Sequence, residues 1–312
     1  TYNQEQYIAQ TLESFLMQKA DFKYEILIND DASTDNTVNI IREYEKKYPD
    51  IIKPIYQKQN QYSRGVTNPS GAFNYPRAKG RYTAMCEGDD YWTDEYKLKK
   101  QVDFLEKHKD CSLCFHAAKA LAMDSSYPET NIRPYKNDRF LSAAEVIDKT
   151  SAYPTASLMF PSKHIKELPD FFATAPVMDI PLQIILASKG LSFYIDSYMS
   201  VYRVGVSGSW TKDLQKGDFL KKQHKYFKEI KATYEAFDSY TDYVYSPFVK
   251  NSINRIYFLI LVNTKNYKKV LSKKYKHFFA ELSPRTRFYI KFEFYFPLIY
   301  KLIRNLALSF KS

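Results

Sequence analysis

The chain opens on an amphipathic pattern. In "NQEQYIAQTLESFLMQ", Ile8, Leu12, Phe15 and Leu16 recur at helical spacing and make one apolar face. Asn3 stands as the N-cap of that helix, with Gln6 as its reciprocal capping partner. "YEILIND" is a short apolar run that stops at acids, which predicts a buried strand. "STDNTVNIIREYEKKY" predicts a helix capped by Ser33 or Thr34 and ended before Pro49. "IIKPIYQ" predicts a strand that its proline confines to a sheet edge.

A polar stretch, "KQNQYSRGVTNPSGAFNYPRAKG", then predicts a loop around a broken helix. "RYTAMC" is a strand that runs into carboxylates. "DEYKLKKQVDFLEKH" is a helix with Leu98, Val102 and Leu105 on one side. "CSLCFHAAKAL", "TASLMF" and "LSFYIDS" are further strands, and "DIPLQIILASKG" is a helix stopped by Gly190. Strands alternating with helices predict an α/β fold with a mostly parallel central sheet. In such sheets the ligand crevice lies beyond the carboxyl ends of the strands.

Two acidic clusters fall at such ends: Asp30 and Asp31, and then Glu87, Asp89 and Asp90 in "MCEGDDYW". Carboxylates this close repel one another. A solvated acidic face fits poorly, because the second cluster ends an apolar strand. An acid/base pair would need two carboxyls in different environments. A hard divalent cation, Mg²⁺ or Mn²⁺, would take one or two carboxylates plus substrate phosphates. Gly88 is expected to let the backbone turn so that its neighbours converge. Residues 31–35 also read as a helix cap.

The chain has 312 residues and a formal charge of +11, a balance that attracts polyanions. Its three Cys fit a reducing compartment. Cys111 and Cys114 form a lone CxxC on a strand, where positions three apart face opposite sides, so they read as buried small hydrophobes. His116, on the same strand, reads as a core residue. No run of 18 apolar residues is present. No signal peptide is visible either, although the chain starts at "TYNQEQ" without Met.

Past residue 215 Lys, Tyr and Phe dominate, which divides the chain into 1–215 and a basic, aromatic helical region 216–312. Its last helix puts Ile299, Leu302, Ile303, Leu306 and Phe310 on one face, with Lys301 and Arg304 off it. This region either lies on an anionic membrane face near a lipid-linked acceptor, or packs on the preceding domain or on a second subunit of a homo-oligomer.

"TYNQEQYIAQTLESFLMQ", "YEILINDDASTDNT", "AKGRYTAMCEGDDYW" and "KLKKQVDFLE", in this order and spacing, resemble a family 2 glycosyltransferase of the GT-A fold over roughly residues 1 to 210. The resemblance implies a nucleotide-diphosphate-sugar donor, with UDP-sugar the favoured kind, a divalent cation (Mn²⁺ or Mg²⁺) and transfer with inversion. The family's first strand is cut off before Thr1. Thr1, Tyr2 and Asn3 would lie beside the nucleotide, Asp30 would bind the base and Asp31 would sit near the ribose. The family's Asp-x-Asp metal motif falls on Glu87-Gly88-Asp89, with Glu in place of the first Asp. Asp89 is then the leading metal ligand, and Asp90 would contact metal or sugar.

The family's base begins a later helix, and "PVMDIPLQIILASKG" makes Asp179 the candidate; the same residue also reads as an N-cap. In "MSVYRVGVSGSW" Arg203 matches a family arginine that could pair with phosphate, while the following family His is missing. The Arg-Asn pair before "AKG" is missing too, leaving Arg64, Arg77 or Lys79 as substitutes. By analogy the setting is bacterial surface-polysaccharide assembly, in the cytoplasm or at the inner face of the plasma membrane, with a glycan or lipid-linked acceptor. Two other readings are a nucleotidyltransferase on a related fold, for which no Gly-rich phosphate loop is visible, and a non-catalytic sugar- or nucleic-acid-binding protein. No nucleic-acid recognition motif accompanies the positive charge.

Overall fold

The computed structural model describes residues 1–124, 130–149, 153–209, 212 and 217–309, with the backbone alone along 304–309. The chain forms two compact units, 1–249 and 250–312.

The first unit begins with α1 (Ile8–Leu16), β1 (Ile26–Asp30), α2 (Thr37–Lys47) and β2 (Ile52–Tyr56). β1 and β2 pair in parallel, with Ile28 opposite Pro54. β2 has no other strand partner among the described residues, as its proline requires. Ile8, Leu12, Ile26, Ile28, Ile41 and Ile52 close a core between these elements. α1 starts later than its sequence pattern suggests. Its N-cap is Tyr7, without a side-chain cap bond. Asn3 is instead left-handed, with φ of 51°, and its Oδ1 accepts from Thr34 N–H at 2.8 Å. Tertiary pairing with the loop after β1 has taken the acceptor that local capping would have used. α2 likewise begins at Thr37 rather than after Ser33 or Thr34.

A second sheet holds β3 (Tyr82–Ala84), β4 (Tyr91–Trp92), β5 (Cys111–Ala122), β6 (Thr130–Ile132), β7 (Arg139–Leu141), β8 (Met159–Pro161) and β9 (Leu191–Val204). The order is β3-β8-β5-β9-β4, with β6 on β5 and β7 on β9. The expectation of a mostly parallel sheet is corrected here. β1–β2 and β5–β9 are parallel, and the other pairs are antiparallel. Strand–helix alternation constrains direction only where successive strands pair through a helical crossover. In this sheet most neighbours are distant in sequence. "TASLMF" also yields less strand than expected, because Thr155–Ser157 is a 3-10 turn. Cys111 and Cys114 are buried free thiols.

α3 (Lys97–Lys107), α4 (Ala143–Lys149) and α6 (Asp179–Ala187) pack on the sheet, and α7 (Phe219–Tyr240) touches α6 and the short α5 (Phe171–Thr174). α6 is buried from Ile180 to Ala187. α7 turns Gln223, Ile230, Tyr234 and Phe237 inward at helical spacing. α8 (Ser246–Asn263) leads into the second unit, with α9 (Tyr267–Val270), α10 (Lys276–Glu281), α11 (Pro284–Tyr295) and α12 (Pro297–Ser309). That unit has its own core of Phe258, Leu261, Val270, Tyr275, Phe278 and Ile290. Phe310, placed on the last helical face by sequence, lies outside the described residues.

Candidate active site

β3 ends at Ala84, and the chain turns through Met85–Asp90 into β4. The turn closes where Asp90 N–H donates to Glu87 O at 3.2 Å. Gly88 is needed here, though not for a left-handed φ, which it does not have. A Cβ at this position would lie 2.2 Å from Gln4 Oε1 and 2.7 Å from Thr1 Oγ1. The glycine permits close approach of the N-terminal segment.

Polar side chains of α1, and Gln18 just after it, bind this turn and the segment that follows it. Thr11 Oγ1 lies 2.9 Å from Gly88 O and 2.6 Å from Asp90 O, as donor to both. Ser14 Oγ accepts from Trp92 N–H, and Gln18 donates to Asp94 O while accepting from Leu98 N–H. Arg203 of β9 closes the other side. Its backbone N–H donates to Asp90 Oδ1 at 2.9 Å. Its guanidinium donates to Asp89 O and to Gln10 Oε1, and lies 4.9 and 4.6 Å from the Tyr7 and Tyr91 ring centroids. These contacts hold the acidic turn from beneath.

Thr1 joins the two acidic clusters. Its amino group donates to Asn29 O at 2.8 Å and its carbonyl accepts from Asp31 N–H. Thr1 thus links the end of β1 to the 87–90 turn, whose Gly88 it abuts. Asp30 is buried; its Oδ2 accepts from Ser33 N–H, and its Oδ1 has no partner. A buried acceptor left unpaired is costly unless a ligand completes it. Both Asp31 oxygens are already used, by Gln61 and Tyr62 N–H. Asn3 N–H donates to Ser33 Oγ, and Tyr2 is exposed.

Electrostatics gather a third segment into the site. The Glu87 side chain reaches water while protein crowds it from other sides. Burial first, then Asp89 and Asp179, raise its carboxyl pKa to about 8. Burial also raises Asp89, and it raises Asp90 strongly with help from Glu87 and Asp89. Asp179 heads α6; its Oδ1 accepts from Ile180 N–H, and burial raises its pKa. Tyr226 of α7 is close enough to Asp179 that the carboxylate adds to the upward shift burial gives its hydroxyl.

Other basic candidates are placed differently. Lys79 precedes β3, at the strand end away from Glu87, and its backbone N–H donates to Glu25. Arg77 donates to Ile28 O and Asn74 Oδ1, and Arg64 to Gln59 Oε1. Sequence reading missed Gln4, Gln10, Thr11, Ser14 and Tyr226. For α1 the available signal was polar residues beside the apolar face, at positions 11, 14 and 18.

Glu87 and Asp89 offer carboxylate oxygens, the kind of donor that a hard divalent cation takes. Burial first, and then the neighbouring carboxylates, raise Glu87 and Asp90. Among the described residues no three Asp, Glu, His or Cys side chains are grouped to hold an ion. Such an ion would complete its shell from substrate phosphates and water.

The model of glycosyl transferase family 2 matches residues 1–166. An uncharacterised protein of Mycobacterium tuberculosis is 35% identical over 215 residues, which are 67% of this chain and 58% of that protein. The chain thus spans less than two thirds of the length of this relative. A putative teichuronic acid biosynthesis glycosyltransferase of Bacillus subtilis is 33% identical over 126 residues, 40% of this chain and 47% of the relative. Among solved structures, S. aureus TarS with UDP superposes with a TM-score of 0.55 at 17% identity, covering 91% of this chain and 74% of that one. That likeness shows a shared fold of the GT-A type.

Proposed function

The chain belongs to glycosyl transferase family 2, and from that premise we propose that it moves a sugar from a nucleoside diphosphate, UDP in the first instance, to a hydroxyl of a glycan or lipid-linked acceptor with inversion. The observation that carries this reading is Asp30, buried at the end of β1 with its Oδ1 unpaired, in a chain whose residues 1–166 match the family; the electrostatic influence of Asp89 and Asp179 on Glu87 supports it.

In this reading Asp30 Oδ1 accepts an N–H of the base, which gives its unpaired oxygen a partner. Thr1, Tyr2 and Asn3 flank the nucleotide, and Asp31 acts through the 61–62 loop it holds, beside the ribose. Asp89 first and Glu87 second would hold Mn²⁺ or Mg²⁺. When bound, that ion supplies positive charge at the diphosphate. Asp90 and Arg203 hold the turn in place, and Lys79 has no part. Asp179 takes the proton of the acceptor hydroxyl as that oxygen bonds to the anomeric carbon and the bond to diphosphate breaks. A carboxyl whose pKa burial has raised is a better base than a free one. The setting proposed is the inner face of a bacterial plasma membrane; among the described residues no helix is long and apolar enough to cross one.

The test is release of free nucleoside diphosphate from a panel of UDP- and GDP-sugars, with and without Mn²⁺. Absence of metal-dependent turnover on every donor would overturn the reading. Asp89→Asn should lose metal-dependent donor binding. Asp179→Asn should keep donor binding and lose transfer.

A further inference from the structure

The chain's positive charge is not spread along it. Residues 250–312 hold 14 Lys and Arg against two Asp and Glu, so this unit carries a formal +12, and residues 1–249 carry −1. Both acids of the unit are already in ion pairs, Glu281 with Arg255 and Glu293 with Lys265. Five lysines, Lys268, Lys269, Lys273, Lys274 and Lys276, fall within nine positions and are exposed.

The unit also leaves apolar groups in water that its own core does not use. On α11 Phe288 is 62% exposed and Tyr295 64%. On α12 Leu298 is 82% exposed, and Ile299, Leu302 and Ile303 continue the same stripe at helical spacing. α11 and α12 follow one another in the chain and are in contact. An exposed apolar stripe of this size marks an interaction surface.

We propose that α11 and α12, with the lysine-rich segment 268–276, dock on a bilayer of anionic phospholipid. The surface pairs apolar side chains that enter the acyl boundary with cations that meet headgroups. α12 has 13 residues, too few to span a bilayer. A second copy of the chain is disfavoured as the occupant, since it would set +12 against +12. Nucleic acid would use the lysines but leave Leu298 and Leu302 in water. The proposal deepens the placement at a membrane face made above, and its readout does not depend on sugar transfer.

The experiment is co-sedimentation of the full chain with vesicles of phosphatidylcholine alone or mixed with phosphatidylglycerol, at low and high salt. Binding is expected only to the anionic vesicles and should fall as salt rises. Replacing Lys268, Lys269, Lys273 and Lys274 by Gln should weaken partitioning at least about a hundredfold, given roughly fivefold per lysine. Leu298→Ser with Leu302→Ser should weaken it about tenfold or more, from the apolar area withdrawn. These variants should keep the wild-type melting temperature and nucleoside diphosphate release, which separates failure of docking from failure of fold or transfer. No binding to anionic vesicles at low salt, equal binding to neutral ones, or vesicle-independent self-association that both variant sets abolish would overturn the proposal.

Discussion

Replacing Lys97 by methionine should stabilise the protein near neutral pH, and the gain should disappear as the pH rises towards that of a free lysine. Lys97 is fully buried at the start of α3. Its Nζ lies 4.2 Å from the Trp92 ring centroid and donates to Gln101 Oε1 at 2.8 Å. Among the described residues no carboxylate pairs with it, and burial lowers its pKa from 10.5 to about 7, against weaker upward effects of Cys86, Cys114 and Asp94. The sign follows from proton counts. Between about pH 7 and 10.5 the unfolded chain holds a proton at this lysine that the folded chain has shed, so stability rises with pH across that window. At 1.36 kcal/mol per unit the charged form costs roughly 4 kcal/mol near pH 7 and about 2 kcal/mol near pH 9. Methionine keeps the packing on Trp92 and removes the charge. It also strips Gln101 Oε1 of its donor, at about 1–3 kcal/mol, a cost that does not vary with pH. The measurement is urea unfolding of both proteins from about pH 7 to 10. The difference between them should shift against methionine by roughly 1 kcal/mol per pH unit. A difference that stays flat across that range would refute the buried-charge account.

Gly88→Ala places a Cβ against Gln4 and Thr1; Thr1 is pinned at both its amino and carbonyl groups, so overpacking should cost about 1–3 kcal/mol and weaken nucleotide binding, with unchanged calorimetric affinity counting against it. Ala32 is left-handed, with φ of 63°, so Ala32→Gly should raise stability by up to about 1 kcal/mol, relief of strain exceeding the added chain entropy; a lower melting temperature would refute this. Arg203→Met removes the donors to Asp89 O and Gln10 and should cost about 3 kcal/mol, and a variant as stable as wild type would show that the turn stands without it.

Much of the first unit was legible because its signals are local. The apolar face of α1, the strand that stops at Asp30 and the proline at a sheet edge each follow from spacing within a few residues, and each is in the fold. Strand direction was not legible, since β3 pairs with β8 across some 75 positions and nothing in either segment states an orientation. The start of α1 misled because Asn3 has an equally good partner in Thr34, which only the folded chain brings near. Nothing local states the partners of Thr11 and Gln10; Thr11 is put to work by a turn nearly 80 positions away and Gln10 by Arg203, 193 positions away.

Those unread residues bear on how the acidic turn exists at all. Burial first, then Asp89 and Asp179 acting on Glu87, and Glu87 and Asp89 acting on Asp90, raise the pKa values of these carboxyls. Such crowding of three carboxylates within four positions would push an unsupported loop apart. The turn is instead tied through its backbone: Thr11 binds the carbonyls of Gly88 and Asp90, and Arg203 binds that of Asp89. Holding the main chain rather than the carboxylates spares side-chain oxygens of Glu87 and Asp89, the latter met by the Gln4 side chain, and a site that must receive a cation with its diphosphate needs such oxygens. Asp90 is the exception: Arg203 N–H takes its Oδ1, which marks it as an anchor of the turn. If the site works this way, weakening the anchors should harm ligand binding and stability together, whereas neutralising Asp89 should abolish metal-dependent donor binding and raise the stability of the ligand-free protein by relieving repulsion. A calorimetric scan of Asp89→Asn beside Arg203→Met, without ligand, separates the two: melting temperatures that fall in both would mean that Asp89 is a structural support and not a free ligand.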